Sequence, residues 1–143
     1  MPAKGSTFDN DLLKLIFNGT NIANIADNAA SSPLTDLYVS LHTASPLVGG
    51  SQSTNEAAYT SYARVAVARS GSGWTVSGSS VTLTSMISFP TATGGSEVET
   101  FFAVGTDSSG TGKVLYFGII SPTITVFNGV TPQLSTSTSI TEA

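Results

Sequence analysis

Hydrophobic and polar residues alternate with a period of two in two runs of the first half of the chain. In Leu37 to His42, Leu37, Val39 and Leu41 fall on one side of an extended backbone and Tyr38, Ser40 and His42 on the other. In Tyr62 to Arg69, Ala63, Val65 and Val67 alternate with Arg64, Ala66 and Ala68. Both runs predict half-buried strands. Further on, Trp74 and Val76, then Val81 and Leu83, form two brief alternating segments broken at Gly78-Ser79, and Met86 to Pro90 closes that group. Val98 to Thr106 and Lys113 to Ile120 carry apolar residues on both faces, which predicts central strands covered on both sides, the second ending at Ser121-Pro122. Asn128-Gly129, between Thr123–Phe127 and Val130–Leu134, is the pair best suited to a two-residue type I′ hairpin, with Pro132 bending the second arm or holding it at an edge.

Only the N-terminus has the period of a helix. Phe8, Leu12, Leu15 and Ile16 recur at i, i+4, i+7 and i+8, Ser6 or Thr7 can cap, Asp9 and Asp11 suit the first turn, and Asn18-Gly19 suits the end. The pattern predicts a helix over 7–17 packing by Phe8, Leu12, Leu15 and Ile16, against its own sheet or against another subunit. A turn-rich linker (18–35) with Ile22 and Ile25 as anchors follows, then a β-sandwich over 36–134 and a Ser/Thr-rich tail (135–143) in which Ile140 either adds a last strand or trails loose. The expectation is one domain, 1–143, mainly β: an antiparallel, jelly-roll-like sandwich of about eight strands with one short N-terminal amphipathic helix. Leu47 to Ala58 has no pattern of its own, and loops of this length are functional or disordered. Leu47, Val48, Gly49, Gly50, Ser51, Gln52, Asn55 and Glu56 are therefore the candidate partner contacts.

Composition narrows the function. Only 10% of the 143 residues are charged, so hydroxyls and backbone must cover much of the surface, as suits a protein packed against others. The net charge of −4, with cations scattered at Lys4, Lys14, Arg64, Arg69 and Lys113, offers no stripe for a phosphate backbone, so nucleic acid is not an expected partner. Neither a membrane span nor a secretory signal is expected, which leaves the sequon Asn18-Gly19-Thr20 idle. There is no cysteine, hence no disulfide or thiolate site.

Candidate chemistry is thin. Gly112-Lys113 evokes a phosphate loop, but Asp107 stands where its first glycine belongs and Val114 where the hydroxyl belongs. No Gly-x-Ser-x-Gly elbow exists, and the lone His42 with carboxylates makes a poor zinc set. Glu97 and Glu99 share a strand face as an acid/base pair, a hard-cation site or, more commonly, two carboxylates in solvent. Tyr59, Tyr62 and Trp74 form either an aromatic binding patch or part of the core. No enzyme activity and no cofactor are expected.

The order of features resembles a group of small tailed-bacteriophage virion proteins. The resemblance is carried by the N-terminal helix, Leu37-Tyr-Val-Ser-Leu-His-Thr-Ala-Ser-Pro46, the Gly-rich loop with Asn55-Glu56, Tyr62-Ala63-Arg64, Ile87-Ser88-Phe89-Pro90 and the Asn128-Gly129 hairpin. It implies a capsid cement or decoration protein, made in the host cytoplasm, that binds the exterior of an HK97-fold shell. Its partners would be the major capsid protein and itself, as a capsomer-bridging homo-oligomer with a dimer favoured. The alternative, a tail or fibre module binding host glycans, would carry exposed aromatics beside Asp or Asn.

Overall fold

A computed structural model describes residues 6–22 and 33–142; the Ile25 anchor and residues 23–32 of the linker lie outside the described residues. The elements are α1 (Ser6–Asn18), β1 (Asp36–His42), β2 (Val65–Ala68), β3 (Trp74–Ser77), β4 (Ser80–Leu83), β5 (Ile87–Ser88), β6 (Ser96–Gly105), β7 (Val114–Phe127), β8 (Gln133–Leu134) and β9 (Ser139–Thr141). Among the described residues the protein is mainly β with one helix, and its strands form antiparallel sheets ordered β2-β1-β6-β7, β3-β4-β9 and β5-β8. This pairing is compatible with a jelly-roll-like arrangement. The chain divides into two compact units, one built from residues 1–36, 67–86 and 135–143, the other from 37–66 and 87–134.

In the first unit β3 and β4 form a tight hairpin with Val76 opposite Val81, and Gly78 supplies the positive φ of 58° that its two-residue turn requires. β9 adds to β4 with Ile140 opposite Val81, so the Ser/Thr-rich tail does contribute a strand. Helix α1 packs against β3 and β4. Its buried face differs from the expected one. Leu13 and Phe17 are wholly buried, Leu12, Leu15 and Ile16 are half-buried, and Phe8 is exposed. Apolar residues at 8, 12, 13, 15, 16 and 17 wrap more than half of the helix, so spacing alone could not fix the centre of the stripe. Phe17 meets Trp74 edge-on at 4.8 Å between ring centroids. The guanidinium of Arg69 donates to the carbonyls of Ile16 (2.6 Å) and Leu15 (2.5 Å), which the end of the helix leaves without partners, and to the Leu34 carbonyl (3.3 Å).

In the second unit β1 lies antiparallel to β6, with Val39 opposite Val104 and Leu41 opposite Phe102. Strand β7 corrects the sequence reading: it runs unbroken through Ser121-Pro122 to Phe127 and stands last in its sheet's order, and β6 follows it with two register shifts, one between Val104 and Gly105 and the other between Glu99 and Phe101. Pro122 falls inside the latter shift, where no ladder hydrogen bond is asked of it. The Asn128-Gly129 turn exists but is not the expected hairpin. Val130 N–H donates to the Phe127 carbonyl at 3.0 Å, and only Gly129 has positive φ, 92°, which is a type II turn rather than I′. The chain beyond it pairs with β5, through Ile87 opposite Leu134, instead of folding back on β7.

Candidate functional site: a clamped loop with an apolar tip

The loop between β1 and β2 is ordered by its polar residues. Gln52, read from sequence as an exposed contact, is fully buried. Its Nε2 donates to the Tyr38 carbonyl at 3.3 Å, its Oε1 accepts the Asp107 N–H at 2.9 Å, and its own N–H donates to the Gly112 carbonyl at 2.8 Å. The side chain fits because Gly105 and Gly112 have none: a Cβ at either position would lie 2.1 or 2.2 Å from the Gln52 carboxamide.

Glu56, a second expected contact, is also taken up within the chain. Arg64 grips it with two hydrogen bonds, Nε to Oε1 at 2.6 Å and Nη2 to Oε2 at 2.8 Å. The same guanidinium donates to the carbonyls of Asp107 (2.8 Å) and Gly110 (2.6 Å), so one buried cation ties the loop to the β6–β7 tip. Tyr62 Oη donates to Glu56 Oε1 at 2.9 Å and accepts the Leu41 N–H at 3.1 Å. Burial first, and the Glu56 charge second, raise the Tyr62 hydroxyl far above the ordinary tyrosine range.

His42 and Ser40 form a hydrogen-bonded pair with the geometry of a base and a nucleophile, Nε2 to Oγ at 2.9 Å. Both residues are fully buried. Nδ1 lies 2.9 Å from the Thr54 carbonyl, which can only accept, so Nδ1 carries the proton and Nε2 accepts from Ser40. Burial lowers the His42 pKa, which keeps the ring neutral. The pair closes the loop onto β1 and meets no solvent.

What the loop offers to solvent is its tip. Leu47 is 60% and Val48 95% exposed, and Gly49 beside them is exposed too. The tip is braced. Gly50 N–H donates to the Leu47 carbonyl at 3.1 Å, with Gly49 at φ 90° completing a type II turn. Leu47 N–H donates to Ser45 Oγ at 3.1 Å, and Asn55 Nδ2 to the Ser45 carbonyl at 2.8 Å. Gly50 cannot carry a side chain, since its Cβ would lie 1.8 Å from the Pro46 oxygen. Leu47 itself sits at φ 67°, a left-handed conformation that branched residues avoid. Of the eight candidate contacts, Leu47, Val48, Gly49 and Asn55 are exposed, Gly50 and Ser51 half-buried, and Gln52 and Glu56 engaged within the chain.

The other candidate groups resolve as follows. Glu97 Oε1 accepts the N–H groups of Ala58 (2.9 Å) and Tyr59 (2.8 Å). Glu99 is fully buried, which corrects the expectation of a solvated acidic face. Neither of its oxygens meets a hydrogen-bond donor, and burial, helped by the Glu97 carboxylate, pushes its pKa up to about 8. Tyr59 and Tyr62 meet edge-on at 5.3 Å, and Trp74 lies against Phe17, so these aromatics are core rather than patch. A cleft of about 500 Å³ in the first unit is lined by Thr7, Asn10, Asp11, Gly78 and Ser79, with no aromatic among them. Among the described residues no group of three or more His, Cys, Asp or Glu could hold a metal ion.

A family model described as "Podophage GP4 fiber I protein gp80" matches residues 5–141. No curated protein matches the chain.

Proposed function

The chain belongs to the podophage GP4 fiber I protein gp80 family and is a structural protein of the phage virion, and we propose that it is a non-enzymatic, fibre-associated component that docks on neighbouring virion subunits by the apolar tip of its β1–β2 loop. The family match over nearly the whole chain carries this reading. The tip supports it: two exposed apolar side chains on a braced turn are pre-ordered for burial, so little conformational entropy opposes docking. Thr43 to Asn55 contains no charged residue, so the surface that receives the tip is apolar and uncharged.

The second reading is a capsid cement that bridges capsomers, as the resemblance of Leu37–Pro46 and the charge-poor surface suggested. Antibody labelling of intact virions separates the two. Label at the fibres supports the first, whereas label spread over the shell refutes it and selects cement. Either role gains from repetition, because modest contacts at high effective concentration exceed any one alone. A homo-oligomer, dimer first, belongs to this proposal, and a purely monomeric mass in analytical ultracentrifugation would remove it.

A further inference from the structure

The second unit holds one polar group that none of this uses. Glu99 lies in the middle of β6 and is completely shielded, with both carboxyl oxygens lacking a donor. A charged carboxylate so placed is strongly disfavoured, and a neutral one much less so. Two residues earlier on the same strand, Glu97 holds the backbone N–H groups of Ala58 and Tyr59, and this segment is pinned on either side by Ala57 N–H to the Leu41 carbonyl (2.8 Å) and Thr60 N–H to the Gly94 carbonyl (3.0 Å). The titratable group that acts on Glu99 is Glu97 on its own strand; burial first, then Glu99 and Glu97, raise the Tyr59 phenol, whose hydroxyl donates to the Pro90 carbonyl at 2.9 Å. Opposite Glu99 on β7 stands Ile124, which offers no countercharge.

We propose that Glu99 is a proton-dependent latch: the segment Ala57–Thr60 stays on β6 while Glu99 keeps its proton and opens as that proton is lost. Opening gives the Glu99 carboxylate water, which also screens it from Glu97 on the same strand, and costs the segment the two backbone hydrogen bonds that Glu97 accepts. The sign follows from the proton count. An opened Glu99 titrates near its ordinary 4.5 and the closed one near 8, so between those values the closed form holds a proton that the open form has released. Raising the pH through that window therefore favours opening, about tenfold per pH unit, and the effect levels off above the upper value.

Hydrogen exchange with single-residue resolution tests this, with rates corrected for the base catalysis of exchange itself. Between pH 5.5 and 7.5 the Ala58 and Tyr59 amides are expected to lose about a hundredfold in protection while the β6–β7 ladder amides keep theirs, and Glu99→Gln is expected to abolish the loss. Equal loss in Glu99→Gln, or none in the native chain, overturns the proposal. Should the variant not fold, the native chain decides: loss of protection at Ala58 and Tyr59 that begins in the window over which the carbon-13 signal shows Glu99 still protonated in the closed form, and levels off at its midpoint, supports the latch, whereas a loss that does not follow the Glu99 titration, or a Glu99 midpoint near 4.5, refutes it.

Discussion

Replacing Glu56 by Gln keeps the shape of the loop clamp and removes its negative charge. Arg64 then remains with a side chain only 2% exposed and without the carboxylate that paired with it. Its two bonds to the carbonyls of Asp107 and Gly110 persist, but neutral oxygens compensate a buried guanidinium poorly. Breaking one side of a buried pair costs about 3 to 5 kcal/mol. A chain of this length has roughly 7 to 20 kcal/mol of stability in all, so the loss is large. At about 3 °C per kcal/mol the melting temperature is expected to fall by about 10 °C. Arg64→Met should cost less, about 2 kcal/mol, because the Glu56 side chain is 16% exposed and keeps the Tyr62 hydroxyl. The double variant Glu56→Gln/Arg64→Met should cost less than the sum of the single changes, since it leaves no buried charge without its partner. Urea unfolding, followed by circular dichroism and by exchange of the amides of residues 106–113, measures the cycle. A Glu56→Gln cost below about 1 kcal/mol, or a native stability that falls steeply with added salt, would mean that the pair behaves as a surface one and that the clamp is wrongly described.

Three further outcomes follow. Leu13→Ala should cost about 2 to 4 kcal/mol and Phe8→Ala under about 1, by thermal melting; equal costs would return the helix face to Phe8, Leu12, Leu15 and Ile16. Val48→Asp should leave the melting temperature of the isolated protein within about 2 °C of native and reduce its incorporation into virions, scored by mass spectrometry of purified particles; full incorporation would remove the tip from the interface. His42 is held neutral, so its contribution is complete above its ordinary 6.5 and shrinks as the pH falls below that value. His42→Asn should accordingly flatten the acid limb of the stability curve, and an unchanged limb would assign that limb to other groups.

The strands were legible where burial follows alternation. Leu37, Val39 and Leu41 are buried on one side of β1 as the period of two required. Their polar neighbours were not legible. Ser40 and His42 read as solvent-facing, yet they are buried because Thr54, twelve residues past His42, brings them an acceptor. Periodicity reports the chain's own turn-by-turn geometry and is blind to a loop that folds back over it. The same blindness put Gln52 and Glu56 on the surface and Glu99 in water. The glycine at 112, discarded as the remnant of a phosphate motif, was the available signal, since it marks a close approach of another group, here the Gln52 carboxamide. The helix lost its face to an acidic residue: Asp9 shares the buried stripe with Leu13 and Phe17, and a carboxylate there disguised the i, i+4, i+8 spacing.

The seat of Gln52 also implies an order of events in time. Its walls, Gly105 and Gly112, belong to the β6–β7 hairpin and its approaches, so the seat exists only after two strands that are neighbours in sequence have paired. The hairpin closes a short span and can form early, whereas the loop must wait for it. Contacts made after the rate-limiting barrier slow escape from the native state without hastening arrival. Gln52→Ala should therefore steepen nothing on the refolding arm of a chevron and raise the unfolding arm by nearly its whole cost in stability. On that account the amide side chain at the centre of the loop sets how long the folded loop persists, rather than how quickly it is found.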